Sequence, residues 1–538
     1  SAFGRNGNIR SSPPTPFPCS ESLTTIQFLP EVVEAKLSAL KPSSAPGPDR
    51  IHPRLLRECA KPLSSPLAII FNKSMKEAVL PADWKSTNVS PIFKKGRKNC
   101  PANYRPINLA SVPAKLMESI IKDELLRHLM ENDLVLSSQH GFLPGKSCTT
   151  NLLTYLNEVT TALDNGVPYD VIMIDFRRAF DLVPFRHMLR KLEAHGVVGD
   201  LLRWMADWTR GRVQRVVLNG AHSTWADVLS SVVQGSVLGP ILFIVFINDL
   251  DHAITDKQTK IFKYADDSKF GRPVHCRSDA EALQSAIVGV SGWSEKWGMS
   301  IHPTKTFVLH FGHGNKEFEY SLNGIKISAV SVAKDLGIMI DESCKPSEHV
   351  TAITKRANGI LSQLNRTLIS REKDVMVGLY KTFVRPVLES AVSAWSPWER
   401  RDIDAIEKIQ RRATRMVPSL AGKDYDTRLK ICRLTTLERR RIRGDLIDVF
   451  KMLNGHTRID DGFFNFASER HNAATRAVTN KCLVSEKCHL DVRKYFFTNR
   501  IVQHWNSLPL YIREAVSVNS FKNLYDDWTC DDIDDESF

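Results

Sequence analysis

Two short strand-like segments that each run into carboxylates constrain this chain more than any other feature. VIMIDF (171–176) is a continuous apolar, β-branched run bounded by turn signals, the pattern of a buried strand, and it brings the chain to Asp175. KIFKYADDSKF (260–270) has apolar residues on both sides of a polar kink, a β-hairpin pattern with Asp266 and Asp267 at the turn. The two sites lie about ninety residues apart, a separation that disappears if both strands belong to one antiparallel sheet. Three acidic oxygen donors would then converge on one small volume.

Clustered carboxylates repel and raise one another's pKa, so such a set is unfavourable unless a cation neutralises it. Hard cations such as Mg²⁺ want oxygen ligands, with water and substrate phosphates completing the octahedron. Two such ions can activate an attacking hydroxyl and stabilise leaving pyrophosphate, which makes nucleotidyl transfer the natural reaction. An Asp-Asp pair in a turn is by itself commonplace, because Asp favours turns through local side-chain bonding. The rest of the chain has to be weighed with it.

At 538 residues the chain exceeds the size at which one hydrophobic core keeps growing, so two to four lobes are expected. The formal charge of +13 favours a polyanionic partner over an acidic small molecule. The acidic stretch 526–536 makes the remaining body more basic still. Ten scattered cysteines fit a reducing compartment rather than a disulfide scaffold. The longest obvious apolar run, 241–247, is about a third of the roughly 20 residues a membrane span needs. No signal peptide is visible, and Ser1 in place of an initiator Met suggests a fragment of a longer protein.

Residues 1–22, rich in Ser, Pro, Gly and Asn, are expected to be a disordered linker. Apolar spacing predicts helices over 29–40, 53–60, 65–78, 114–129, 186–194, 201–208 and 279–297, and a loop feeding a largely buried helix over 234–250. Strands are expected at 88–96, 171–176, 305–311 and 336–340, with hairpins pairing 212–220 with 225–229 and folding 260–270 on itself. From about 349 the chain becomes nearly continuous helix rich in Arg and Lys, with further helix near 516–528. Within it Arg411, Arg412 and Arg415, and likewise Arg439, Arg440 and Arg443, lie at helical spacing; each stripe suits phosphate contact or a solvated face. Cys482, Cys488 and His489 invite a zinc reading, but the spacing is not that of a standard finger and no fourth ligand is evident.

SAPGPDRI (44–51), ANYRPINLASVPAKLMESII (102–121), QHGFLPGKSCTTNLL (139–153), IDFRRAFDLV (174–183), VQGSVLGPILFIVFINDL (233–250), YADD (264–267) and KDLGIMID (334–341) resemble, in order, the blocks of non-LTR retrotransposon reverse transcriptases of the jockey or CR1 kind. The resemblance extends from about residue 30 to 530. It implies an α+β right-hand polymerase: fingers and an antiparallel-sheet palm over 23–348, a helical thumb over 349–455 and a C-terminal extension over 456–538. The implied activity is extension of a DNA primer on an RNA template from dNTPs, as part of retrotransposition. Two Mg²⁺ ions, with Mn²⁺ as a substitute, would be held by Asp175, Asp266, Asp267 and the backbone of Phe176.

Carried over in the same way, Phe180 resembles the aromatic gate under the sugar that excludes a 2′-hydroxyl, with a core aromatic as its plain alternative. Gln234 and Gly235 resemble the loop that covers the incoming nucleotide, although Val233 stands where the family usually has Pro. Arg105 resembles the arginine that meets the incoming nucleotide, and Lys305 the lysine that protonates leaving pyrophosphate. His302 stands where the family usually has Asn. The resemblance further implies a ribonucleoprotein of nucleus and cytoplasm, and an upstream endonuclease that this chain does not contain. Oligomeric state stays open, as do three other readings: a catalytically dead nucleic-acid-binding remnant, a maturase-like splicing cofactor and a metal-dependent nuclease.

Overall fold

The structure, a computed structural model, describes residues 16–228, 235–460, 462–466 and 481–535. At its centre stands a five-stranded sheet in the order β12-β9-β3-β8-β7, formed by Ser328–Ala329 (β12), Phe307–Phe311 (β9), Tyr169–Ile174 (β3), Asp267–Pro273 (β8) and Lys260–Tyr264 (β7). Strand β3 occupies the middle, antiparallel to both neighbours, and every one of its residues is buried. That is why its sequence runs apolar without alternation.

Successive side chains of a strand point to opposite faces, so β3 feeds two cores. Ile172 and Ile174 join a core with the N-terminal half of the chain. Its helices include Val112–Glu131 (α4), Phe185–Ala194 (α7), Gly199–Thr209 (α8), Gly239–Ile247 (α9) and Arg277–Trp297 (α10). Tyr169, Val171 and Met173 join the other core, with Cys148–Asp164 (α5) and the helices beyond residue 346. The chain therefore does not divide cleanly at 348/349, because α5 and one face of the sheet share their core with the C-terminal helices.

A second sheet carries β2 (Tyr104–Ala110), β1 (Ser86–Phe93) and β4 (Val213–Leu218), with the two-residue strands Ala221–His222 (β5) and Ala226–Asp227 (β6) on β4. The expected hairpin of β4 with the segment near 225 is present as Gln214↔Ala226. Strand β1 pairs antiparallel with β2 on one side and, through Ser86↔Val213 to Val89↔Val216, parallel with β4 on the other. The pairing with β4 joins segments with no local sequence connection.

Most expected helices appear within a few residues, and the expected strand 336–340 is a hairpin of Val332–Asp335 (β13) and Ile338–Asp341 (β14). The structure adds α5, whose start is fixed by a reciprocal capping box between Ser147 and Thr150. Of the expected linker, residues 1–15 lie outside the described residues, while 16–22 rest on the body: Phe17 stacks on His195 with ring centroids 4.2 Å apart and donates its N–H to Ala194 O.

Beyond the sheet, Ser347–Thr367 (α11), Arg400–Arg415 (α15) and Leu437–Leu453 (α17) form the helical region. The segment 481–535 folds back onto it and onto α5. Asp164, at the end of α5, accepts the N–H groups of His489 and Leu490 at 2.8 and 2.7 Å. Arg493 donates to Asn157 on the same helix at 2.8 Å. No described helix is long and apolar enough to cross a membrane.

Candidate active site

Pairing of β3 with β8 runs from Tyr169↔Pro273 to Ile174↔Ser268, so Asp175, one residue past the strand, arrives beside the β7–β8 turn. Tyr264 pairs with Asp267, leaving Ala265 and Asp266 as the two residues of that turn. Ala265 takes the left-handed conformation, φ +57°, which costs a residue with a Cβ about 1 kcal/mol. Asp267 is the first residue of β8 rather than a turn residue. On the other side of Asp175 the chain 300–305 extends the sheet: Arg177 N–H donates to Ser300 O, and His302 N–H to Asp175 O, both at 2.8 Å. This brings Lys305 Nζ within 2.8 Å of Asp175 Oδ2.

Asp175, Asp266, Lys305, Arg105, Phe180 and Gly235 all line one cavity of about 1080 Å³ between the two sheets. Burial raises the Asp266 carboxyl above its ordinary value and Asp175 adds to the shift, against the opposing charges of Arg105 and Lys94. Asp267, although exposed at the start of β8, is pushed up to about 6 by desolvation from the protein packed around it, with Asp266 and Asp335 reinforcing the shift and Lys269 opposing. Asp267 does not line the cavity. The structure thus brings two of the three expected carboxylates onto one cavity and leaves the third outside its lining. Among the described residues, no three His, Cys, Asp or Glu side chains form a set that could hold a metal ion as they stand. The chemistry of the donors nonetheless suits a hard cation: the oxygens repel one another, and Asp175 already draws a cation in Lys305.

Phe176 turns its ring inward, 5% exposed, edge-on to Trp293 at 6.2 Å. Phe180 is half-buried, stacked on Phe243 at 4.4 Å and edge-on to Phe142, so it is packed against the core and also walls the cavity. Arg105 is exposed on β2. Gln234 and Val233 lie outside the described residues. Gly235 has φ +98°, and a Cβ there would meet Asn108 O at 2.9 Å, so only glycine lets this loop lie against β2.

Sequence reasoning missed Glu118. Its buried carboxylate accepts the Val237 N–H and the Trp208 indole N–H, each at 2.9 Å, and so fastens the loop after Gly235 to α4 and α8. The available signal was an acid set among Leu116, Met117, Ile120 and Ile121 on the apolar face of the 114–129 helix.

The arginine stripes resolve unevenly. Arg440 is paired in bidentate fashion with Glu389, and Arg443 with Asp526 at 2.5 and 2.6 Å, which makes both internal ion pairs. Arg412 donates to Asn358 and Ser362, whereas Arg415 and Arg439 are exposed and Arg411 stacks on Tyr425 at 4.2 Å. Cys482 accepts from Arg513 and Cys488 from Asn499, hydrogen bonds that tie the last segment together.

Residues 92–339 match the family profile described as reverse transcriptase (RNA-dependent DNA polymerase). The matched span contains Arg105, Asp175, Phe180, Gly235, Asp266 and Lys305, the residues that meet on the cavity. Over a longer span the chain is similar to RNA-directed DNA polymerases of non-LTR retrotransposons. One is the probable RNA-directed DNA polymerase from transposon BS of Drosophila melanogaster, 27% identical over 72% of this chain and 44% of that protein. Others are the polymerase from mobile element jockey of Drosophila funebris, 26% identical over 74% of this chain and 45% of that protein, and the probable polymerase from transposon X-element of Drosophila melanogaster, 25% identical over 82% and 48%. The chain spans about half the length of these curated relatives.

Proposed function

We propose that this chain is an RNA-directed DNA polymerase that extends a DNA primer on an RNA template from dNTPs. The observation that carries the reading is the meeting of Asp175 and Asp266 on one cavity inside the span that matches the reverse transcriptase profile. On this reading the central sheet is the palm, the β1-β2-β4 sheet belongs to the fingers, the helices over about 349–455 are the thumb, and 456–538 is a C-terminal extension whose segment 481–535 packs against them.

Asp175 and Asp266, with the backbone of Phe176, would hold two Mg²⁺ ions, or Mn²⁺ in their place, once Asp175 is released from Lys305, and Asp267 would join them only by turning from the start of β8 toward the cavity. Bound there, the ions would lower the pKa of the primer hydroxyl and offset charge on leaving pyrophosphate. The chain's own residues do the rest. Arg105 meets the triphosphate with a fixed planar charge. Phe180, held by Phe243, blocks the space a 2′-hydroxyl needs. Gly235 and Gln234 cover the incoming nucleotide. Lys305, freed from Asp175, hands a proton to pyrophosphate.

Primer extension on an RNA template, with Asp266→Asn as control, tests the proposal. Incorporation by the wild-type chain and none by the variant is the expected result. Equal incorporation by both would remove these carboxylates from the reaction.

A further inference from the structure

The segment 138–141 lies behind the turn that carries Asp266 and acts as a partner strand to β7. His140 N–H donates to Lys263 O and Lys263 N–H to Ser138 O, both at 2.8 Å, and Gln139 bridges Lys263 in parallel fashion. Asn151 Nδ2 adds a bond to Lys263 O at 3.1 Å, and the Lys263 ammonium is paired with Asp251 beneath. Gln139 itself is fully buried. Its Oε1 accepts two backbone N–H groups, from Gly141 at 2.8 Å and from Ala265 at 2.9 Å. Ala265 is the left-handed residue immediately before Asp266. A Cβ at position 141 would lie 2.5 Å from Ala265 N, so Gly141 is what lets this segment reach the turn.

We propose that Gln139 is a positioning residue for the nucleotidyl-transfer site: through the Ala265 N–H it holds the turn in the conformation that presents the Asp266 carboxylate to the cavity. Gln139 does not line the cavity and touches no reacting atom. A residue that only filled core space would have no need of a polar acceptor at this point, and its Nε2 finds no partner among the described residues, so the acceptor oxygen alone is used. Without it, the buried Ala265 N–H is left unsatisfied and the strained turn loses the bond that fixes it. Asp266 then samples orientations that do not face Asp175.

The inference rests on the polymerase reading only for the reaction measured, so the test has two arms on the full chain. The first is hydrogen exchange of the segment spanning 263–268 in the wild type, Gln139→Met and Gln139→Glu. The Met variant keeps the volume and deletes the acceptor, and the turn amide should exchange at least about tenfold faster. The Glu variant keeps an acceptor oxygen and should restore protection. The second arm is steady-state incorporation on a primed RNA template at varied Mg²⁺. In Gln139→Met, kcat should fall by about 10–100-fold and half-saturating Mg²⁺ should rise, the usual range for groups that orient a metal ligand, with KM for template–primer unchanged. Wild-type exchange and wild-type kcat in Gln139→Met would overturn the proposal, as would a fall in kcat matched by an equal loss of template–primer binding, which is the mark of general unfolding. A wild-type chain that incorporates nothing, with the exchange effect present, would sink the polymerase reading and leave Gln139 as the brace of the turn alone.

Discussion

Lys305 Nζ and Asp175 Oδ2 are 2.8 Å apart across the edge of the cavity, joining the carboxylate that follows β3 to the turn that leads into β9. Both side chains are substantially exposed, at 60% and 39%, so the pair adds little to stability. Lys305→Met should therefore shift unfolding free energy by less than about 1 kcal/mol. Incorporation should nevertheless slow by about a hundredfold, the scale of a lost general acid. Thermal melts read against single-nucleotide incorporation separate the two effects.

Asp266 sits under repulsion from Asp175 with its ionised form disfavoured by burial. Asp266→Asn should leave the melting temperature unchanged or raised while incorporation drops by at least about a hundredfold. A loss of stability comparable to a core mutation would show that the carboxylate has a folding role instead.

Phe180 serves two neighbours, the cavity and Phe243. Phe180→Val keeps an apolar wall but opens space beneath a sugar, so the preference for dNTP over rNTP should fall by about tenfold or more, measured as the ratio of kcat/KM values. The lost ring stacking should cost about 1 kcal/mol of stability.

Lys191 is buried beside Phe246, Trp293 and Trp297, with its ammonium 3.9 Å from the Trp297 ring and paired with Asp249 at 2.5 Å. Burial nonetheless lowers its pKa to about 7, outweighing Asp249. Because the unfolded chain holds this proton up to about pH 10.4, the unfolded state binds more protons between these values, and stability rises with pH across that window. Chemical denaturation from pH 6.5 to 9.5 should show the wild type gaining on Lys191→Met as pH rises above about 7. A constant difference across the range would mean that Lys191 stays charged.

In the helical region, exposed Arg415 and Arg439 differ from the paired Arg440 and Arg443. Arg415→Ala and Arg439→Ala should each weaken template–primer binding and flatten the slope of log K against log salt by about 0.9, with little change in melting. Arg440→Ala should instead destabilise the fold by about 1–3 kcal/mol, since it leaves the half-buried Glu389 without its bidentate partner.

The sequence made the two carboxylate positions legible because each depends on a local pattern: β3 is apolar throughout, and the β7–β8 hairpin breaks at a polar kink. It did not disclose that Asp267 lies within β8 and off the cavity, because a shift of one residue in the turn decides which face a side chain takes. Helix α5 is absent from the expectations although Leu152, Leu156, Val159 and Leu163 are helically spaced, for the threonines among them blur the apolar stripe. The parallel pairing of β1 with β4 has no local signature, since its register is set by packing of segments more than a hundred residues apart. Ion partners were equally out of reach: Arg440 and Arg439 are neighbours in sequence, and only the position of Glu389 makes one structural and leaves the other exposed.

The bonds from Asp164 to the backbone at 489–490, and from Arg493 to Asn157, make the tail and helix α5 halves of a single joint. Shortening the chain before residue 481 would bare the underside of the helix on which β3 rests, and with it the strand that delivers Asp175. The last sixty or so residues are in this sense the floor beneath the chemistry, and any exchange of tails between related elements must bring a matching α5 along.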